Sequence, residues 1–177
     1  FIYQASLPRG VGSNDIGLDR GQLGTTKIVR FLRSGPKVLL VEDNLQYRAD
    51  SENATERRAI DESFARSVIW GFVDIDASDD STVIDATAFF VRDAHGVGTR
   101  LAMMGEGSFN VDDSRSAIFL PRTKAFPDNT EIEAMVTLVG TATGKHLPRV
   151  MPDRNALTVH VHHSFIRLPD DNYEPLP

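Results

Sequence analysis

TVHVHHSF, residues 158 to 165, places three of the chain's five histidines within four positions. Imidazole can ligate a metal, move a proton near neutral pH, or sit in a core as a hydrogen-bonding group. On a β-strand, alternate side chains face opposite ways. Val159, Val161, His163 and Phe165 then share one face, and Thr158, His160, His162 and Ser164 share the other. The first face is apolar except for His163, which reads as a core histidine with a hydrogen-bond partner. The second is polar, and His160 and His162 point together along it. Zinc sites on sheets use such a pair, which makes these two the metal candidates. A plain polar strand face accounts for them equally. No further ligand lies nearby in sequence, so His95, His146 or an acidic residue would have to arrive through the fold.

Other stretches offer weaker chemistry. DIDASDDSTVID (74 to 85) spaces Asp74, Asp76, Ser78 and Asp85 somewhat like a calcium loop. Its sixth position is Asp79 where such a loop needs glycine, and its flanks look like strands. An acidic hairpin turn is the simpler reading. In RDAHG, His95 lies close to Asp93, but residues so near one another on a helix seldom face each other. A histidine at a helix C-terminus is favoured in any case. No G-x-S-x-G elbow, phosphate loop, G-x-G-x-x-G or H-E-x-x-H motif occurs. The motifs supply no catalytic machinery.

The longest irregular stretch is GVGSNDIGLDRGQLG, from Gly10 to Gly24. Glycine tolerates positive φ and close backbone approach, so this reads as a loop. Loops of that length are often functional or packed against something. Asn14, Asp15, Asp19 and Arg20 are its contact candidates. They serve either an interface or the hydrogen-bond needs of the loop's own backbone.

The elements that must position these groups are mostly strands. FIYQASL (1 to 7), KIVRFLRSG (27 to 35) and KVLLVEDNLQYRA (37 to 49) read as strands, with Ser34-Gly35-Pro36 as a turn. A helix opens at Asn53, with Glu56 at capping-box spacing and an apolar stripe of Ile60, Phe64 and Val68. SVIWGFVDID and TVIDAT form a hairpin. FFVRDAHG (89 to 96) reads as a short helix stopped by Gly96, and VGTRLAMMGEG (97 to 107) as another stopped at Gly105. SFNVD, SAIFLPRTKAF, TEIEAMVTLVG and ALTVHVHHSFIRL read as further strands, followed by the exit PDDNYEPLP. The expected fold is α+β, mainly antiparallel β-sheet with two or three helices, in a single domain over residues 1–177.

The 177 residues carry 41% hydrophobic and 25% charged residues, an ordinary globular composition. A net charge of −6 with no basic cluster argues against nucleic acid as a partner. The absence of cysteine removes disulfides and thiolate zinc sites. No apolar run reaches the length of a membrane span. Phe1 opens inside what reads as a strand, with no signal peptide ahead of it. We therefore expect a processed chain or a segment of a longer one.

Taken in order, LPRGVGSNDIGLDRGQLG, GPKVLLVEDNLQYRA, ERRAIDESFARSVIWGF, DATAFFVRDAHGV, SRSAIFLPRTKAFPDNTEIEA and HHSFIRLPDDNYEP resemble one family. It is the domain of unknown function DUF5117, which precedes the Met-zincin catalytic domain in a group of large bacterial zinc-dependent metalloproteases. The resemblance runs from about Leu7 to about Pro175. It implies a parent protein that is a zinc metallopeptidase, exported to the periplasm, outer envelope or medium. In that family the zinc ligands and catalytic glutamate lie in an H-E-x-x-H-x-x-G-x-x-H motif of the following domain. This chain lacks that motif, so no catalytic role passes to any residue here, and no cofactor is expected in this segment. The implied function is a non-catalytic accessory domain. It would pack on the metalloprotease domain of the same parent chain and shape a cleft for peptide substrate, with Asn14, Asp15, Asp19, Arg20, His160 and His162 as contact candidates. Two other readings remain: a stand-alone peptide- or glycan-binding module, and a metal-dependent hydrolase using His160 and His162. An exposed apolar patch would favour the first reading, a groove complete within the chain the second, and a third metal ligand the last.

Overall fold

The computed structural model of the protein describes residues 1–13, 15–77 and 81–170. Asn14, the centre of the acidic turn at 78–80 and most of the exit segment (171–177) lie outside the described residues. The strands are β1 (Ile2–Arg9), β2 (Gln22–Leu23), β3 (Lys27–Ser34), β4 (Lys37–Glu42), β5 (Ser67–Ala77), β6 (Thr82–Ile84), β7 (Gly107–Val111), β8 (Ala117–Ile118), β9 (Lys124–Ala125), β10 (Asn129–Ala142) and β11 (Ala156–Ile166). The helices are α1 (Ala54–Ser63), α2 (Thr87–Phe90), α3 (Val97–Met103) and α4 (Leu147–Val150). The fold is thus α+β and dominated by antiparallel sheet, with four α-helices among the described residues. Two of the four are single turns, too short to carry the periodicity by which sequence reveals a helix.

The chain divides into two compact units. One comprises Phe1 and Lys27–Ala86. It contains the antiparallel succession β3-β4-β5-β6 and α1. Gly35, at φ 58, gives the two-residue β3–β4 hairpin the positive φ it needs. Val29, Val38, Leu40 and Phe72 are buried. Asn53 caps α1 by accepting the Thr55 amide at 2.9 Å. Glu56 instead accepts from the Ser51 hydroxyl. Ile60 and Phe64 are half-buried, and Phe64 stacks on Tyr47 with ring centroids 4.0 Å apart. Val68 is not part of that stripe: it lies in β5, where the β-branched and aromatic run SVIWGFV prefers an extended chain. The strand opening at Lys37 likewise ends at Glu42 rather than running to Ala49, as the apolar run gives way to DNLQYRA.

The other unit comprises Ile2–Thr26 and Thr87–Pro177. Its strands run β2-β1-β11-β10, with β7, β8 and β9 pairing to β10. β10 and β11 stay in register from Asn129↔Ile166 to Val139↔Ala156. One face of this pair carries Ala134, Val136 and Leu138 with Leu157, Val159 and Val161. Against it pack Ala5 and Leu7 of β1, Ile16 and Leu18 of the glycine-rich loop, Val97 and Leu101 of α3, and Leu147 of α4. Each fully buried Leu or Val contributes about 1.5–3 kcal/mol. The loop is therefore partly a core element, and its return leg is the short strand β2.

Two further expectations give way. The helix placed at 89–96 is only the turn Thr87–Phe90. Gly96, at φ 75, sits at the N-cap of α3 instead, and Asp93 accepts the Val97 and Gly98 amides at 2.8 Å each. DAHG thus starts the second helix rather than ending the first. Gly105, at φ 71, does terminate α3 as its position suggests. SAIFLPRTKAF is not a continuous strand. Pro121 has no N–H to give a ladder, and the chain makes a 3-10 turn at Leu120–Arg122 between β8 and β9. Among the described residues, no helix is long and apolar enough to cross a membrane.

Candidate functional site

The polar face of β11 meets an equally polar face of β10. Glu131, Glu133 and Thr137 alternate along β10 and pair across to Ser164, His162 and Thr158. Each histidine then reaches one step diagonally for a carboxylate. His160 Nδ1 lies 2.6 Å from Glu133 Oε1, and both side chains are buried. His162 Nε2 lies 2.7 Å from Glu131 Oε2 at a half-exposed position. Since the carboxylates only accept here, the ring nitrogens carry the hydrogens: Nδ1 in His160 and Nε2 in His162. Glu131 also accepts from Ser164 Oγ and Asn129 Nδ2, at 2.9 and 2.8 Å. Among the described residues no three His, Cys, Asp or Glu side chains gather as a metal group.

His163, on the opposite face, is completely buried. Its Nε2 lies 3.0 Å from the Phe90 carbonyl, which fixes the hydrogen on Nε2. Nδ1 then accepts the Tyr3 hydroxyl at 3.0 Å, and Arg92 donates to that hydroxyl. Burial, with the Arg92 charge adding to it, pushes His163 down to about 3. Burial also raises Tyr3, against the opposing pull of Arg92. Rings of Phe89, Phe90 and Phe165 enclose the group. This is the core histidine with partners that the apolar face implied.

His95 is half-buried beside the Ala5 carbonyl and Gly24, and burial lowers its pKa. Asp93 is spent on capping α3, so no Asp–His couple forms in RDAHG. His146 donates from Nε2 to the Val11 carbonyl at 3.1 Å. Glu106 is a buried carboxylate with no forewarning in the sequence. It accepts the amides of Lys145, His146 and Leu147, the last at 2.8 Å. Burial alone would raise it, but these amides, with the His146 charge, hold it below the usual carboxylate range.

His160 and Glu133 form part of the lining of a cleft of about 500 Å³, whose other lining residues are Pro8, Arg9, Gly10, Gly12, Arg20, Gly21, Phe119 and Arg122. Four local features assemble it. The β1–β11 register slips between Ser6↔His162 and Arg9↔His160, a bulge at the Leu7–Pro8 step that sets Arg9 opposite His160. Gly10 lets the loop double back: a Cβ there would lie 2.0 Å from the Leu18 carbonyl oxygen. β2 pairs with Ser6 and Leu7, and the Gly21 amide reaches the Leu7 carbonyl, which brings Arg20 alongside. Finally, the 3-10 turn is pinned to β10, as Phe119 donates its amide to the Glu133 carbonyl at 2.7 Å. The Phe119 ring packs edge-on against His160 at 5.1 Å between centroids.

Of the residues singled out from sequence, Arg20 and His160 come together in this cleft. His162 lies next along the strand with its own glutamate, outside the lining. Asp15 is exposed, Asp19 is half-buried, and neither lines the cleft. Sequence reasoning missed Arg9, Phe119, Arg122, Glu131 and Glu133. One signal was present: TEIEAMVT alternates acid with apolar residues just as TVHVHHS alternates imidazole, so two half-polar strands invited pairing.

A carboxylate-oriented imidazole has the geometry of a general base. The His160 Nε2 atom has no partner among the described residues and is not sealed from solvent. The lining offers no serine, threonine, cysteine or lysine. The cleft is therefore equipped to hold a ligand or a water, with no side-chain nucleophile to form a covalent intermediate.

These features define a sheet-dominated α+β domain with a polar, arginine-rimmed cleft. The family model for a domain of unknown function, DUF5117, matches residues 21–175, and the chain belongs to that family. Comparison with curated proteins and with solved structures gives no match.

Proposed function

We propose that this chain is the non-catalytic accessory region of a bacterial zinc metallopeptidase, exported with it and packed on the catalytic domain of the same parent chain. The observation that carries this reading is an apolar sheet face in the β3–β6 unit. The register aligns Leu32, Leu39 and Gly71 in one cross-strand row, Val73 follows on the same side of β5, and Ile75 comes next at the bulge opposite β6. Leu32 is 38% exposed, Val73 65% and Ile75 64%. Exposed apolar side chains gathered on one sheet face favour its being covered by another surface. The zinc of such a peptidase would belong to the catalytic domain.

A Val73→Asp/Ile75→Asp double variant tests this against the separately produced catalytic domain. Loss of two apolar anchors should weaken association about ten-fold or more. Circular dichroism and melting temperature should stay close to those of the unaltered chain, since both side chains face solvent. Undiminished association of the variant overturns the docking face. Chelator-sensitive peptidase activity from the isolated chain overturns the non-catalytic reading. The binding-module alternative draws on a separate observation, the cleft complete within the other unit.

A further inference from the structure

We propose that the cleft between the β1 bulge, the glycine-rich loop and the Leu120–Arg122 turn is an oxyanion site, binding a carboxylate or phosphate group on Arg9, Arg20 and Arg122. The chain as a whole carries a net charge of −6. The cleft reverses that sign locally, with three arginines in its lining against one glutamate. All three arginines are exposed, and none forms an ion pair or side-chain hydrogen bond with another described residue. Several other arginines are engaged, Arg30 and Arg66 with Asp43, Arg33 with Asp74, Arg58 with Glu62, and Arg115 with Asp112, whereas Arg48, Arg149, Arg154 and Arg167 form no such pair with another described residue. The feature that carries the inference is that three unpaired guanidinium groups gather in the lining of one cleft. Guanidinium is also the side chain whose fork of donors matches carboxylate and phosphate oxygens.

The remaining lining says what else the ligand carries. A volume of about 500 Å³ suits a small organic molecule or a chain end better than a bare ion. Phe119 and Pro8 offer apolar walls. Glu133, buried with His160, repels a second anion but accepts an N–H or O–H. The ligand is therefore amphoteric: an oxyanion toward the arginines, and a hydrogen-bond donor toward the His160–Glu133 couple. An acidic peptide or free peptide C-terminus meets this description, and so does a phosphorylated small molecule. The inference stands on the cleft alone and does not need the apolar docking face.

Isothermal titration of the full chain tests it with three probes: inorganic phosphate, the acidic peptide acetyl-Gly-Glu-Gly-Glu-Gly, and its neutral glutamine counterpart with an amidated C-terminus. We expect phosphate or the acidic peptide to bind and the neutral peptide not to. The tighter of the two identifies which oxyanion the site prefers. Each of Arg9→Gln, Arg20→Gln and Arg122→Gln should weaken binding about two- to five-fold, the worth of a part-exposed charge pair. The triple variant should abolish it with an unchanged melting temperature. If the triple variant proves unstable, the single variants carry the test. Absence of binding by both anionic probes at millimolar concentration overturns the proposal. So does equal binding of the neutral peptide, or affinity that survives all three substitutions.

Discussion

Two histidines two positions apart on one strand differ sharply in what they hold. His160 and Glu133 are both buried side chains, so removing the imidazole takes from a largely desolvated carboxylate its hydrogen-bond donor. His160→Ala should cost about 3 kcal/mol or more. His162 and Glu131 remain partly solvated, and Glu131 keeps bonds to Ser164 and Asn129. His162→Ala should cost about 1 kcal/mol or less. Urea denaturation of the two variants decides it, and equal losses would refute the burial argument. His163 sets an acid limit. Its folded pKa of about 3 lies below the unfolded value of about 6.5, so its neutral, bonded state contributes stability above pH 6.5. That contribution fades as pH falls from about 6.5 toward 3, with a slope of up to about 1.4 kcal/mol per pH unit. A His163→Gln variant should be less stable at pH 7 and approach the unaltered chain as pH drops. A pH-independent gap between the two would contradict this.

At the scale of elements, the cleft depends on one loop doubling back over the end of β1. Gly10→Ala would drive a methyl group into the Leu18 carbonyl, which also accepts the Val11 amide. Backbone cannot give way there without dragging Ile16 and Leu18 from the core. We expect a loss of about 1–3 kcal/mol, typical of forced overpacking, together with weakened anion binding because Arg20 moves with the loop. Thermal melts and the phosphate titration read the two effects. Gly21→Ala, with φ 87 but open space around the position, should cost less. The sequence showed that this stretch was conspicuous. It did not show that its apolar residues Ile16 and Leu18 are core while Arg20 stays free.

At the scale of the molecule, the two units present different surfaces. One carries an apolar sheet face, the other a cationic cleft in an otherwise acidic chain. An apolar face suits a lasting contact with a neighbouring domain, and a solvated charged cleft suits a ligand that comes and goes. The Val73→Asp/Ile75→Asp variant should therefore lose domain association and keep phosphate binding. The arginine triple variant should do the reverse. Each substitution set serves as the other's control.

The sequence by itself determined the alternation of its strands, the polar and apolar faces of β11, the core role of His163, the cap at Asn53 and the stop at Gly105. All of these follow from local periodicity and from backbone chemistry within a few residues. Only the tertiary structure decided that Glu133 is the partner of His160, because a carboxylate 27 positions away becomes a neighbour only through the β10–β11 register. The same holds for Arg9, brought opposite His160 by a bulge, and for Arg122, held by a turn that Pro121 forces into what otherwise reads as a strand. Register, bulges and turns are set by which strands meet, and no local window of sequence contains that choice.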